Sequence, residues 1–215
     1  VLDGHKSMVL QGDSADLILV AAATDQGMAL VAVDPASPGV RVKGFQTLDG
    51  RRAAQVTLSQ VPVAATQLIG VGESVELALE DMLDAANAAQ CAEAVGAAEA
   101  LLVLTAEHLR TRTQFGSALV KFQALQHRVA DRVIGFELMK SMACAAAAAL
   151  ELKDTHHKRR VVSAAKACIA QEGRRLGLEA IQMHGGMGMT DECRVGHYAK
   201  RLMQIGLLWG DATWH

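Results

Sequence analysis

Two short segments of the chain carry residue types that could bind a phosphorylated ligand. The first reads RTRTQFG over residues 110–116 and combines guanidinium groups, hydroxyls, an amide, an aromatic ring and a glycine. A guanidinium donates to phosphate oxygens in pairs, and the ring of Phe115 could cover a planar ligand. The alternative interpretation is that these arginines only interact favourably with the negative end of a helix dipole at a helix C-terminus. The segment therefore indicates a pyrophosphate site only with support from a second feature.

The second segment reads IQMHGGMGMTDE over residues 181–192 and holds three glycines within four positions. Glycine is unfavourable inside a helix, so the run predicts a break where the backbone bends or a ligand approaches it closely. These glycines do not follow a strand, as a Rossmann dinucleotide-binding loop requires. A plain corner between two helices is the alternative interpretation.

The N-terminal part of the chain has the features of a β domain. Before residue 70, short β-like runs alternate with turn clusters, and all three prolines of the chain lie there. We expect residues 1–70 to form an antiparallel sheet or part of a barrel. The four runs are ADLILVAAA, MALVAVD, VRVKGF and AAQVTLSQVPV.

After residue 70 the apolar residues recur at steps of three and four, which is typical of amphipathic helices. We expect residues 71–215 to form an antiparallel four-helix bundle, which makes the whole chain an α+β protein. Ser117 and Thr155 are expected to cap the second and third helices. The many alanines predict close helix packing. The first, third and fourth helices are expected over residues 74–110, 155–183 and 192–208.

Composition excludes several classes of function. With 21 basic and 23 acidic residues the chain has no cationic field for nucleic acid or an anionic membrane. Its four cysteines are widely separated and indicate neither a metal site nor a disulfide framework. The most apolar stretch, LMKSMACAAAAALEL, is too short to span a bilayer, and the N-terminus lacks a signal-peptide pattern. We expect a globular cytoplasmic protein and, since no initiator Met is present, a fragment or processed form.

The order and spacing of the motifs resemble a known family. The blocks RTQFG, FQALQHRVAD, IQMHGGMGMTDE and KRLMQIGLLWGD look like the C-terminal half of an acyl-CoA dehydrogenase. The block HGGMGMTDECRVGHYAKRL is most similar to pimeloyl-CoA dehydrogenase small subunits and to the heteromeric dehydrogenases of steroid side-chain breakdown. The block LDGHKSMVLQGDSADLILVAA resembles the second half of the family's middle β domain. The resemblance covers the whole chain and implies that the family's N-terminal helical domain is missing.

The resemblance also implies a cofactor site. In the family, the two corners of one subunit reach across an interface to the adenosine-diphosphate part of the neighbour's FAD. The arginine pairs with the pyrophosphate, the phenylalanine packs on the cofactor, and a glutamine with two glycines lines the adenine side. The residues implied here are Arg112, Phe115, Gln123, Gln182, Gly185 and Gly186.

The catalytic base of the family has no counterpart at its usual positions. The family reaction needs a carboxylate that removes the α proton of an acyl-CoA thioester while a hydride passes to the flavin. Where the common pattern has that glutamate before a C-terminal glycine, this chain has Trp209. Where some relatives supply it from the first bundle helix, this chain has Ala86 beside Asn87. Asp84 and Asp211 are alternatives, although a two-residue shift rotates a helical side chain by about 200°.

A third site feature is also changed. The family's flavin-side strand commonly has a tryptophan and, two residues on, a hydroxyl, where this chain has Met8 and Leu10. We therefore expect a subunit or fragment that lacks the base and completes the FAD site of a partner. Such a chain would meet acyl-CoA only through an assembled homo- or hetero-oligomer, a dimer or tetramer formed through the bundle. The alternatives are a self-sufficient dehydrogenase-like oxidase with an unrecognised acid, and a helical assembly module without a cofactor.

Overall fold

The computed structural model describes all residues from Val1 to His215, which divide into the units Val1–Met82 and Leu83–His215. The first unit is mainly β and the second is helical, so the predicted α+β class is confirmed. The division falls inside a long helix that begins at Glu73, two residues after the last strand of the first unit ends at Val71. The expected domain boundary at residue 70 stays a prediction, because this helix belongs to both units.

The first unit contains two three-stranded antiparallel sheets. The strand order is β1-β5-β4 in one sheet and β2-β3-β6 in the other. The strands are β1 (Leu2–Leu10), β2 (Ile18–Thr24), β3 (Gly27–Val33), β4 (Val40–Gln46), β5 (Arg52–Val61) and β6 (Leu68–Val71).

The core of this unit is built by alternating side chains. In β3, Ala29, Val31 and Val33 are buried and the residues between them are not, which is the period of a strand with one covered face. The apolar alternation predicted β2 to β5 but not β1. Nearly all of β1 is exposed, and its pairing with β5 is irregular between Lys6 and Val9, so it leaves no period-two pattern.

The second unit is an antiparallel bundle of four helices. The first helix begins in the last residues of the first unit. The helices are α1 (Glu73–Thr111), α2 (Gln123–Ala149), α3 (Thr155–His184) and α4 (Arg194–Leu207).

Both expected helix caps are wrong. Ser117 lies in a short hairpin, and α2 begins only at Gln123 after a turn that has no side-chain cap. The cap of α3 is Asp154, whose carboxylate accepts from the amide of His157 at 3.0 Å, and Thr155 is the first helical residue. Asp154 is the cap because its charged carboxylate oxygen is a stronger hydrogen-bond acceptor at a helix N-terminus than the hydroxyl oxygen of Thr155.

Small residues let the helices of the bundle approach closely, as the alanine content predicted. Ala98, Ala146, Ala165 and Ala199 are at most marginally exposed. A Cβ on Gly177 of α3 would come within 3.2 Å of the Ala199 methyl group of α4, so this crossing tolerates only glycine without adjustment.

By length and composition α1 alone could cross a membrane, and 39% of its most apolar 18-residue window is buried. Buried core helices pass the same test, and Cys91 and Leu101 of α1 lie fully buried in the bundle core. The hydropathy of α1 is therefore weak evidence for a membrane span.

Candidate functional site

The RTRTQFG segment forms a tight hairpin at the C-terminus of α1. Its two strands, β7 (Thr113–Gln114) and β8 (Ser117–Ala118), pair antiparallel. The two turn residues, Phe115 and Gly116, have φ of 54° and 75°. Positive φ at both positions is the geometry of a type I′ turn, which a phenylalanine rarely adopts. Gly116 accommodates this turn at no steric cost, whereas Phe115 is strained.

This hairpin presents its side chains to solvent. Phe115 is 90% exposed, and its edge meets the ring of Phe122 at a centroid distance of 6.2 Å. Arg112 is also exposed and forms no ion pair within the chain. Its amide donates to the carbonyl of His108, and its carbonyl accepts from the amide of Leu119, so only the backbone of Arg112 is fixed. The guanidinium is therefore free to bind an external anion.

The IQMHGGMG segment ends α3 and turns the chain towards α4. Gly185 caps α3 with φ 62° and ψ −144°, a combination that essentially only glycine adopts. Residues Gly185–Met189 then form a short 3₁₀ turn. A Cβ on Gly188 would lie 2.7 Å from the carbonyl oxygen of Ile181, whereas Gly186 has no atom within 4 Å of that position. Gly185 and Gly188 thus serve the fold, and Gly185 and Gly186 both lie next to open space.

Stacked imidazoles join the two corners. The rings of His108, in the last turn of α1, and His184, the last residue of α3, lie 4.3 Å apart at an interplanar angle of 26°. His184 is buried, and its Nδ1 donates to the carbonyl of Ala180 at 2.8 Å. Arg112 follows His108 by one helical turn, and Gly185 follows His184 directly. The Arg112 hairpin and the glycine corner therefore lie side by side at one end of the bundle.

Electrostatics keep part of this junction uncharged. Burial lowers the pKa of His108, and the neighbouring His184 and the Arg112 cation lower it further. His108 is therefore neutral near pH 7, and Arg112, one helical turn after it, carries a permanent positive charge.

A cavity of about 290 Å³ opens beside the glycine corner. Its wall includes His184 and Met187 from the corner and Arg194 from the start of α4. Gln182 is exposed on the last turn of α3, and Gln123 is exposed at the first position of α2. All six residues that the resemblance assigns to a cofactor are thus accessible from solvent.

Sequence reasoning missed the two histidines. His184 was visible inside the glycine segment, but its partner His108 lies in a different helix and shares no motif with it. Only tertiary packing brings them together. The one signal in the sequence is that His184 lies inside one segment with predicted ligand-binding chemistry and His108 lies two residues before the other.

The turn where the family has its base has Trp209 at the position of the base and one acid, Asp211, two residues later. Trp209 is 41% exposed and has φ 58°. The carboxylate of Asp211 accepts from the amides of Thr213 and Trp214, both at 2.9 Å, so it caps the last turn of the chain. Both bonds go to Oδ1, so one carboxylate oxygen of Asp211 has a structural role in this turn.

The alternative positions on α1 offer no exposed carboxylate. Asp84 is buried, and its carboxylate lies 3.9 Å from Nε of Arg159. Asn87 is buried, with a side-chain oxygen that has no hydrogen-bond partner, and Ala86 is half-buried. On β1, Met8 and Leu10 expose apolar side chains.

Comparison with known proteins places these features in a family. The family described as acyl-CoA dehydrogenase, C-terminal domain, matches residues 75–210. The short-chain-specific acyl-CoA dehydrogenase of Megasphaera elsdenii is 28% identical over 93% of this chain and 54% of its own length. The acyl-CoA dehydrogenase FadE27 of Mycobacterium tuberculosis is 30% identical over 99% of this chain and 57% of its own length. The chain thus spans about half the length of these relatives.

Solved structures agree with this assignment. The Tcur3481–Tcur3483 steroid acyl-CoA dehydrogenase superposes with a TM-score of 0.86 at 30% identity, over 98% of this chain and 56% of that one. The ChsE4–ChsE5 complex of Mycobacterium tuberculosis gives a TM-score of 0.86 at 29% identity, over 99% and 56%. This chain therefore belongs to the acyl-CoA dehydrogenase family of oxidoreductases and contains that family's C-terminal helical domain.

Proposed function

We propose that this chain completes the FAD site of a partner subunit in an acyl-CoA dehydrogenase and contributes no catalytic base of its own. The observation that carries this proposal is the His108–His184 stack. It holds the Arg112 hairpin and the glycine corner together at one end of the bundle. Two segments that are weak indicators separately thereby become one surface with a cation, an aromatic ring and accessible backbone.

The Arg112 guanidinium is the group of this surface that suits a diphosphate. Helices α1 and α3 end at this surface, and the negative ends of their dipoles disfavour an anion. Helices α2 and α4 begin there, and the positive ends of their dipoles favour one. The Arg112 guanidinium has no partner within the chain and can donate two parallel hydrogen bonds to phosphate oxygens. We therefore assign Arg112 to the FAD pyrophosphate and place Gln123, at the start of α2, beside it.

The remaining residues suit the aromatic parts of the same ligand. Phe115 offers a solvent-exposed ring face, and Gln182 offers an amide beside the glycine corner. Gly186 has open space around its Cα, so a flat ring can approach the backbone there. We assign these residues, with Gly185, to the adenosine side of FAD.

The exposure of the surface favours a ligand shared between chains. A cofactor that one chain binds alone is mostly enclosed by that chain, and Phe115 is 90% exposed here. The ligand would then be held mainly by another subunit and touched by this chain from outside. An oligomer formed through the helical bundle meets that requirement.

The absence of a base limits the chemistry of this chain. FAD, when bound, accepts the hydride that leaves the acyl β carbon. Removal of the α proton needs a carboxylate near the substrate, and Trp209, Ala86 and Asn87 cannot accept it. Asp84 is buried with its carboxylate 3.9 Å from Arg159, and one oxygen of Asp211 accepts from two backbone amides. We therefore assign proton abstraction from the acyl-CoA thioester to the partner subunit.

Purification of the natural protein with its associated chains tests the proposal. We expect a yellow hetero-oligomer that oxidises acyl-CoA with an artificial electron acceptor, and a separated chain that shows no turnover. A yellow, active oligomer of this chain alone would contradict the proposal in favour of a self-sufficient enzyme. A colourless oligomer of this chain alone would favour a helical assembly module.

A further inference from the structure

A lysine is completely buried in the bundle beneath the C-terminal turn. Lys166 of α3 has 0% exposure, although charged lysines are rarely buried without partners. Its Nζ donates to the carbonyls of Ile205 at 2.7 Å and Leu208 at 2.5 Å. Longer contacts join it to the carbonyl of Gly210 at 3.4 Å and the side-chain oxygen of Gln90 at 3.3 Å. The ammonium therefore has an acceptor for each of its protons.

Three of these acceptors belong to the end of α4 and the turn that follows it. The last carbonyls of a helix lack intrahelical partners, and α4 ends at Leu207. Lys166 binds the carbonyls of Ile205 and Leu208 and so replaces the glycine cap that ends many helices. Its positive charge also suits the negative end of the α4 dipole.

The turn that Lys166 holds is strained. Trp209 and Gly210 have φ of 58° and 110°, and a tryptophan at positive φ needs support from its surroundings. Support comes from two sides. Lys166 binds the carbonyls on either side of Trp209, and Nε2 of His215 contacts the Trp209 carbonyl itself at 3.2 Å. The ring of His215 is fixed in turn by Ser163 at 2.8 Å.

We propose that Lys166 is a positioning residue for the Trp209–Gly210 turn, and that its ammonium form fixes the Trp209 indole in its strained, surface-facing conformation. Loss of one proton leaves an amine with two donors and a lone pair. One of the carbonyls around Nζ then faces that lone pair, and the turn loosens. This inference does not depend on the FAD proposal, since it concerns only contacts within the helical unit.

The protonation of Lys166 lies within an accessible range. Burial lowers the pKa of Lys166 to about 8, and the nearby Cys91 opposes this shift. Two neighbouring groups have pKa values on either side of this range: burial raises the pKa of Cys91 to about 11 and lowers that of His215 below its ordinary 6.5. The charged or titratable groups around this cluster are Asp84, Cys91, Arg159, Cys168, Asp211 and His215.

The turn can be followed through its own tryptophan. The chain has two tryptophans, so Trp214→Phe leaves Trp209 as the sole indole and keeps an aromatic ring next to His215. Quenching of Trp209 fluorescence by acrylamide in the full chain, between about pH 7 and about pH 10, reports how well the turn is held. We expect quenching to rise about twofold with a midpoint near pH 8, because 41% of Trp209 is exposed in the fixed turn.

Variants separate positioning from general stability. In the Trp214→Phe background, Lys166→Met should quench at the high level at every pH, and Lys166→Arg should show no transition because arginine keeps its charge. Lys153→Met, at an exposed position before α3, should leave the transition intact. If Lys166→Met does not fold, the Trp214→Phe titration and Lys166→Arg still decide. A flat titration of the Trp214→Phe chain, or the same midpoint in a Lys166 variant, would overturn the proposal.

Discussion

Replacing Arg112 with glutamine should weaken FAD binding in the assembled enzyme while leaving the fold intact. The Arg112 guanidinium is exposed and has no ion pair within the chain, so its removal breaks no internal contact. Surface substitutions of this kind change the free energy of unfolding by about 0.5 kcal/mol or less. The melting temperature of the variant should therefore match that of the parent protein.

The expected loss of affinity follows from the contacts that the guanidinium would make. A hydrogen bond to a charged group contributes about 1.5–3 kcal/mol, and the exposed position of Arg112 allows solvent to screen it. Loss of one such net contribution raises the dissociation constant for FAD by about 10- to 150-fold. Raising the ionic strength should narrow the difference between parent and variant, because screening weakens the lost interaction.

Titration of the apoenzyme with FAD, followed by flavin fluorescence, measures this change. Arg174→Gln is the matched control, since Arg174 is an exposed arginine of α3 outside both corners and likewise without an ion pair. We expect the control to keep the parent affinity. An Arg112→Gln enzyme that binds FAD as tightly as the Arg174→Gln enzyme would refute the assignment of Arg112 to the pyrophosphate.

Three further predictions concern the elements that position the site. Gly185→Ala should lower the free energy of unfolding, measured in urea, by about 1–3 kcal/mol, because φ 62° with ψ −144° is strained for any residue that has a Cβ. Gly186→Ala should change that free energy by about 0.5 kcal/mol or less, and equal losses in the two variants would contradict this. Asp154→Ala should lower the melting temperature at neutral pH, because the carboxylate caps α3. The hydrogen bond from the His157 amide lowers the pKa of Asp154 below 3.8, so this contribution is complete above that pH and disappears as the pH falls through the folded-state pKa. Partial burial lowers the pKa of His108 below 6.5, so the unfolded chain takes up a proton at a higher pH than the folded chain, and the free energy of unfolding should fall as the pH drops below about 6.5. His108→Phe should flatten that part of a urea-unfolding pH series, and an unchanged slope would refute a neutral, partly buried His108.

Much of the architecture could be predicted because apolar residues recur along the sequence at the spacings of helices and strands. The long apolar periodicity after residue 70 predicts α1 within two residues at each end, and the glycine segment correctly predicts the end of α3. Short elements leave no such period. The β7–β8 hairpin has two residues in each strand, so Ser117 resembled a helix cap although it lies in a strand.

The contacts that organise the candidate site could not be predicted, because they join distant parts of the chain. Nothing in the sequence pairs His108 with His184, and Lys166 looks like an ordinary polar residue within an amphipathic helix. Its burial depends on carbonyls that only the end of α4 can offer. The sequence identifies the residues that carry the resemblance, but it does not identify the His108–His184 contact that brings the two corners together.

A structure of the purified, FAD-containing enzyme with acyl-CoA bound tests the central claim most directly. The claim predicts that Arg112 contacts the pyrophosphate of an FAD whose flavin ring lies in another subunit. It also predicts that the carboxylate nearest the acyl α carbon belongs to that subunit. An Asp or Glu oxygen of this chain in contact with the α carbon, or an FAD that no residue of either corner touches, would contradict the account.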